Sequence, residues 1–150
     1  PVATSPPEQA AGGAAESAAE TPAQGLILLI EDDDRVANAW ALLLRGEGYR
    51  VVNAASASEA RRKARELGQA PQLVISDFHL LDGSNGIEAV ASIRGDLGVD
   101  MPAFIVTGDT SKVVQDDQRL GNCVIMRKPV GHDRLLAMAR HAVVSGSVAD

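Results

Sequence analysis

Several short apolar runs in this chain end in polar side chains that could together handle a phosphoryl group. In chain order these side chains are two neighbouring carboxylates, a lone carboxylate, a hydroxyl and an amine: Glu31, Asp32, Asp77, Thr107 and Lys128. An aspartate carboxylate can attack a phosphoryl group and form an acyl phosphate. That reaction needs in-line positioning and positive charge near the phosphoryl oxygens.

The candidate nucleophile is Asp77, a lone carboxylate at the end of its apolar run. Two further acids beside it would repel a dianionic phosphate, so a cation must intervene. Mg²⁺ is the expected ion, since it is hard and is usually held by one or two carboxylates with water and substrate phosphate. Lys128 would supply the remaining positive charge, and Thr107 a hydroxyl donor.

Each of these residues has an ordinary explanation when taken alone. A run of acids is common at a solvated helix start, where the helix dipole stabilises it. Asp77 would be a turn or helix cap, Thr107 a strand residue and Lys128 a surface charge. Their joint placement, one after each of four apolar runs, is what favours the phosphorylation site.

The apolar runs alternate with segments of helix length. Strands are predicted over 26–30, 49–54, 73–76, 103–107 and 124–126, and helices over 34–45, 57–67, 87–97, 111–120 and 133–144. The residues from Ser56 to Glu59 predict a capping box at the start of the second helix. The alternation predicts a parallel sheet with helices on both faces. In such sheets the ligand site lies beyond the carboxyl ends of the strands, where all the candidate residues fall.

Composition bounds the class of protein. The chain has 150 residues, 45% of them hydrophobic, with a net charge of −6 and a pI near 5.0, which favours one globular domain and no nucleic-acid partner. A single cysteine, Cys123, excludes an internal disulfide and a CxxC metal site. No apolar run approaches the roughly 18 residues of a membrane span, so a cytoplasmic location without direct membrane contact is expected, although a parent protein could be membrane-anchored.

The domain boundaries follow from a change in composition. Residues 1–24 are rich in Ala, Pro and Glu and are predicted to be a disordered linker or tail. Residues 25–145 are predicted to form the domain, and 146–150 a C-terminal tail.

The motifs LLIEDD (28–33), LVISD (73–77), IVTG (105–108) and KP (128–129) give the chain a specific likeness. From about residue 26 to 143 it resembles the CheY-like receiver domains of two-component systems, and most of all those of hybrid histidine kinases. The resemblance implies a flavodoxin-like (βα)5 fold with strand order 2-1-3-4-5. It also implies a cis peptide at Lys128-Pro129.

The resemblance further implies that Asp77 accepts a phosphoryl group from a kinase phosphohistidine, and that Thr107 and Lys128 assist. Mg²⁺ would be held by Glu31, Asp32, Asp77 and the backbone carbonyl of His79. The partner would be a histidine kinase, or a kinase domain upstream in the same protein, or a histidine phosphotransfer protein. Such a domain is a phosphoacceptor that promotes its own phosphorylation and dephosphorylation, not an enzyme in the ordinary sense.

Positions around the site differ from the common pattern of that family. His79, Gly108 and Asp109 overhang the site in the family and would tune water access, unless the His79 and Asp109 side chains point into solvent. Ile125 stands where an aromatic residue is frequent, and Leu81 where proline is frequent, in a loop one residue longer than the commonest form.

Other interpretations of the chain's function remain open. A haloacid-dehalogenase-type phosphatase also uses a strand-end aspartate, but it needs a second aspartate where this chain has His79. A dinucleotide-binding fold needs a glycine-rich turn where this chain has Glu31 and Asp32. A receiver-like interaction module that works without phosphorylation is the main alternative.

Overall fold

A computed structural model describes residues 25–108 and 120–148 of the chain. The predicted linker over 1–24, Asp109 and most of the predicted helix over 111–120 lie outside the described residues.

Five parallel strands form the sheet: β1 (Gly25–Ile30), β2 (Tyr49–Ala54), β3 (Leu73–Asp77), β4 (Ala103–Thr107) and β5 (Cys123–Arg127). Their order is β2-β1-β3-β4-β5. The described residues also form helices α1 (Asp34–Gly46), α2 (Ala57–Glu66), α3 (Gly86–Leu97) and α4 (His132–Ser145). The predicted flavodoxin-like order is therefore confirmed, and the observed elements begin and end within a few residues of the predicted bounds.

The sheet is covered on both faces, which explains why its strands are apolar without alternation. Ile27, Leu29 and Ile75 pack on one face with buried residues of α1 and α4. Leu28, Val74 and Ile105 pack on the other with buried residues of α2 and α3. Every residue of β1 is buried, as expected of a central strand. Trp40 of α1 is partly buried against the first of these clusters.

Polar side chains fix where the helices begin. The Asp33 carboxylate accepts hydrogen bonds from the backbone N–H groups of Arg35 and Val36, at 3.0 and 3.4 Å. Asn85 and Glu88 form a reciprocal capping box at the start of α3. Each cap satisfies N–H groups that the helix leaves without an internal partner.

The capping box predicted at Ser56 is only half right. Ser56 Oγ accepts from the N–H of Glu59 at 3.1 Å, but the Glu59 carboxylate accepts from Ala55, one residue further back, at 2.7 Å. Lys63 lies 3.2 Å from the same carboxylate. The glutamate is therefore held between Ala55 and Lys63.

Residues 146–148 contact the domain predicted to end at residue 145. The Asn122 side-chain amide donates to the carbonyls of Asp100 and Gly146, at 3.0 and 3.1 Å, and its oxygen accepts from the N–H of Val148 at 2.9 Å. Val148 also packs against the core. The described part of the predicted tail is thus fastened to the domain.

Within the described residues, no helix combines the length and the apolar character needed to cross a bilayer.

Candidate functional site

The parallel strands end at one edge of the sheet and bring the candidate residues to it. Ile30 pairs with Ser76 and Asp77 pairs with Val106, so Glu31 and Thr107 follow on either side of Asp77. Thr107 in turn pairs with Arg127, which precedes Lys128. The sequence prediction that these residues meet beyond the carboxyl ends therefore agrees with the strand registers.

Three carboxylates converge at this edge. Glu31, Asp32 and Asp77 each offer one oxygen, and the three oxygens lie within 4.8 Å of one another. Glu31 is buried, whereas Asp32 and Asp77 are half-buried. A set of hard oxygen donors that is partly open to solvent fits a divalent cation of the Mg²⁺ kind, which retains water ligands.

Glu31 has an unusual proton affinity. Burial raises the pKa of its carboxyl from 4.5 to about 7, and the negative charge of Asp77 adds to the rise. A hydrogen bond from the Asp33 N–H, at 3.1 Å, lowers the pKa in part. Burial and the neighbouring Asp77 charge thus favour the protonated carboxyl, the Lys128 charge opposes them, and a bound cation would further favour the ionised form.

Lys128 faces the nucleophile candidate directly. Its Nζ lies 3.2 Å from Asp77 Oδ1, and the two side chains are 40% and 14% exposed. The N–H of Lys128 donates to the carbonyl of Thr107 at 2.8 Å, which holds the end of β5 beside the end of β4. The Lys128-Pro129 peptide is cis, as the resemblance implied.

Thr107 and His79 occupy different environments. Thr107 is 1% exposed at the end of β4, so its hydroxyl lies within the protein. His79 is exposed; its ring stands edge-on to Phe78, with centroids 4.8 Å apart, and its backbone pairs with Asn85. Gly108 is exposed. The predicted tuning roles of His79, Gly108 and Asp109 stay predictions.

Two small residues beneath Asp77 escaped the sequence analysis. Ser76 is completely buried, and its hydroxyl donates to the Asp77 carbonyl at 2.8 Å. Gly86 begins α3 so close to the strand that a Cβ there would lie 2.6 Å from the same carbonyl. A serine inside an otherwise apolar strand was the signal that could have revealed this contact.

Comparisons with known proteins agree with this arrangement. Residues 27–140 match the family model of the response regulator receiver domain. The chain is 33% identical over 114 residues to the DNA-binding response regulator MtrA of Mycolicibacterium smegmatis. The aligned region covers 76% of this chain and 48% of that protein. It is 34% identical over 118 residues to the transcriptional regulatory protein KdpE of Mycobacterium tuberculosis, covering 79% and 50%. The chain thus spans about half the length of the curated relatives it matches.

Solved structures give the same result. A CheY-like receiver domain protein from Methanospirillum hungatei matches with a TM-score of 0.72 and 25% identity, covering 81% of this chain and 94% of that one. The receiver domain of the hybrid histidine kinase CckA matches with a TM-score of 0.65 and 29% identity, covering 79% and 99%. On the family match, the relatives and the strand order together, the chain belongs to the response regulator receiver domains of two-component systems.

Proposed function

We propose that Asp77 accepts a phosphoryl group from a phosphohistidine and that the domain thereby carries a two-component signal. The observation that supports this best is the position of Asp77: its carboxylate lies 3.2 Å from the Lys128 amine and within 4.8 Å of two further carboxylates. A carboxylate with an amine on one side and a divalent-cation site on the other is suited to phosphoryl transfer.

The proposed transfer needs no reactant besides the phosphohistidine and Asp77. An Asp77 carboxylate oxygen forms a bond to phosphorus as the bond from phosphorus to the histidine nitrogen breaks, and the imidazole leaves with that electron pair. Lys128 neutralises part of the charge on the phosphoryl oxygens. Thr107 would donate its hydroxyl to one of them.

Mg²⁺ would be held by Glu31, Asp32, Asp77 and the backbone carbonyl of His79. When bound, it supplies positive charge that lets a dianionic group approach three carboxylates. Asp77 is half-buried, which leaves its carboxylate reachable by a donor but shielded from most of the solvent. His79, Gly108 and Asp109 are proposed to tune how water reaches the acyl phosphate.

The partners belong to the same proposal. A histidine kinase or a histidine phosphotransfer protein would be the donor. The likeness to the CckA receiver supports a hybrid-kinase parent. The curated relatives are named as DNA-binding or transcriptional regulators, and the chain covers only about half of each. The absence of a nucleic-acid partner and a cytoplasmic location therefore stay predictions.

Beryllofluoride, which mimics a phosphoryl group on aspartate, tests the proposal. With Mg²⁺ present, ¹⁹F NMR should show a bound signal for the wild type and none for Asp77→Asn. The matched control is Asp100→Asn, which removes an exposed carboxylate that precedes β4, at the far end of the sheet. A bound signal that persists in Asp77→Asn would contradict the proposal.

A further inference from the structure

The backbone beneath the proposed phosphoacceptor is held by two small residues. Ser76 Oγ donates to the carbonyl of Asp77 at 2.8 Å, and the N–H of Gly86 donates to the carbonyl of Phe78 at 2.8 Å. Phe78 is also tied to β4 through a bond from its N–H to the Val106 carbonyl at 2.9 Å. Two successive peptide groups are therefore fixed where the strand turns into the loop over the site.

The fit around these bonds leaves no free space. A Cβ on Gly86 would lie 2.6 Å from the Asp77 carbonyl oxygen, 2.9 Å from Ser76 Oγ and 3.2 Å from Ile105 Cδ1. Ser76 is 0% exposed, so its hydroxyl cannot turn to water instead. A serine and a glycine at these positions let the first residue of α3 touch the strand that carries Asp77.

From this contact we infer that Ser76 is a positioning residue for phosphoryl transfer. Gly86 supports it by packing directly against the Ser76 hydroxyl and the Asp77 carbonyl. This inference rests on the proposed role of Asp77. The Ser76 hydroxyl fixes the Asp77 carbonyl, and so the direction of the backbone between the Asp77 carboxylate and the His79 carbonyl. Those two groups would hold the same cation, so a small rotation of the backbone between them would move one away from the other.

The contact is more than packing because the buried hydroxyl has a specific acceptor. A serine replaced by alanine loses one atom and one hydrogen bond, which is a modest loss of stability. A loss of that size leaves the domain folded but leaves the peptide that follows Asp77 held only through the bond from the Phe78 N–H to the Val106 carbonyl, so its carbonyl end can rotate. A misplacement of 1 Å at a reacting group lowers rates by up to roughly 100-fold.

The test compares Ser76→Ala with Ile75→Val, which lies on the same strand and is equally buried. Ile75→Val removes one buried methyl group, so it gives a comparable modest loss of stability without touching the hydrogen bond. Phosphorylation by acetyl phosphate is followed by intact mass as a function of Mg²⁺ concentration, and Mg²⁺ affinity is measured separately by calorimetry. We expect Ser76→Ala to phosphorylate about tenfold more slowly than Ile75→Val and to bind Mg²⁺ more weakly. Equal rates and equal Mg²⁺ affinities in the two variants would overturn the inference.

A second pair separates the hydroxyl from its shape. Ser76→Thr and Ser76→Val have side chains of the same shape, and each adds one heavy atom to this closely packed site, but only threonine keeps the donor. The rate should be at least partly retained in the threonine variant and lost in the valine variant; equal rates would contradict the role of the hydroxyl.

Should these variants not fold, the wild type alone gives an answer. Its Ser76 hydroxyl proton should appear as a slowly exchanging NMR signal, and rapid exchange would contradict the contact. Labelling of Asp77→Asn would instead defeat the proposed function itself. Wild-type labelling absent from Asp77→Asn but undiminished in Ser76→Ala would defeat only the positioning role.

Discussion

Glu31 links the chemistry of the site to the stability of the protein. Burial and the nearby Asp77 raise the pKa of its carboxyl from 4.5 to about 7, so the folded protein holds a proton there that the unfolded chain releases. Below pH 4.5 the Glu31 carboxyl is protonated in both the folded and the unfolded state, so its ionisation does not change the free energy of unfolding there. Between these two pH values the folded state binds more protons, so the free energy of unfolding falls as the pH rises.

Glu31→Gln should therefore be more stable than the wild type at pH 8 without divalent cations. The neutral amide removes the cost of a buried anion, and a gain of roughly 1–3 kcal/mol is expected. Urea unfolding of both proteins at pH 5 and pH 8 measures the difference, which should be small at pH 5. A Glu31→Gln protein that is less stable than the wild type at pH 8 would contradict the assignment.

We expect Asp32 to bind the cation and not to stabilise the fold of the cation-free protein. Asp32→Ala removes one of three crowded carboxylates, so without Mg²⁺ the free energy of unfolding should stay the same or rise by up to about 1 kcal/mol. Phosphorylation by acetyl phosphate should be lost in the same variant. A large destabilisation in the absence of Mg²⁺ would indicate a structural role instead.

Among the elements, the loop-to-strand junction at Asn122 is held by its own side chain. Asn122 has a φ of 53°, in the left-handed region, and its side chain joins the loop before β4 to the segment after α4. Asn122→Ala loses all three side-chain hydrogen bonds and keeps the backbone strain, so we expect a loss of about 2–4 kcal/mol. Asn122→Gly should lose about 1 kcal/mol less, because glycine tolerates a positive φ.

Chemical denaturation of the two Asn122 variants measures both contributions. Removal of residues 146–150 from the wild type should cost part of the same energy, since two of the hydrogen bonds go to that segment. A truncated protein as stable as the wild type would show that the domain ends at residue 145, as the sequence alone predicted.

The strands and helices could be predicted because their signals are local. Runs of Leu, Ile and Val without polar alternation mark strands buried on both faces, and helical spacing marks the segments between them. The side-chain bonds at their ends could not be predicted, because each depends on distances set by the fold. Glu59 passes over Ser56 and accepts from Ala55, and the capping box at Asn85 gave no signal that the sequence analysis used.

The candidate site was predictable in part for the same reason. Strand ends in a parallel sheet share one edge, so Glu31, Asp32, Asp77, Thr107 and Lys128 could be placed together from the order of the runs alone. Ser76 looked like one more strand residue. Its partner is the backbone carbonyl of Asp77, close to Gly86, and the spacing of residues does not encode that contact.

The molecule as a whole carries a net charge of −6, with three carboxylates gathered at one edge of the sheet. A cation bound only by the folded state stabilises it by RT ln(1 + [L]/Kd), about 1.4 kcal/mol at ten times the Kd. The thermal midpoint should therefore rise by roughly 3–6 °C with Mg²⁺. Calorimetry measures the rise.

Sodium chloride at equal ionic strength is the control, because any salt screens a negatively charged surface. Asp32→Ala should respond to MgCl₂ and NaCl alike. If the wild type also responds alike to both salts, the acid cluster does not bind the cation in the folded protein.

We propose that Asp77 alone becomes phosphorylated. The most direct measurement is intact mass after incubation with acetyl phosphate and Mg²⁺, for the wild type and for Asp77→Asn. The account predicts that the wild type gains the mass of one phosphoryl group and loses it again on alkaline treatment, as an acyl phosphate must, whereas Asp77→Asn gains none. A phosphoryl group on Asp77→Asn, or none on a folded wild type with Mg²⁺ present, would contradict it.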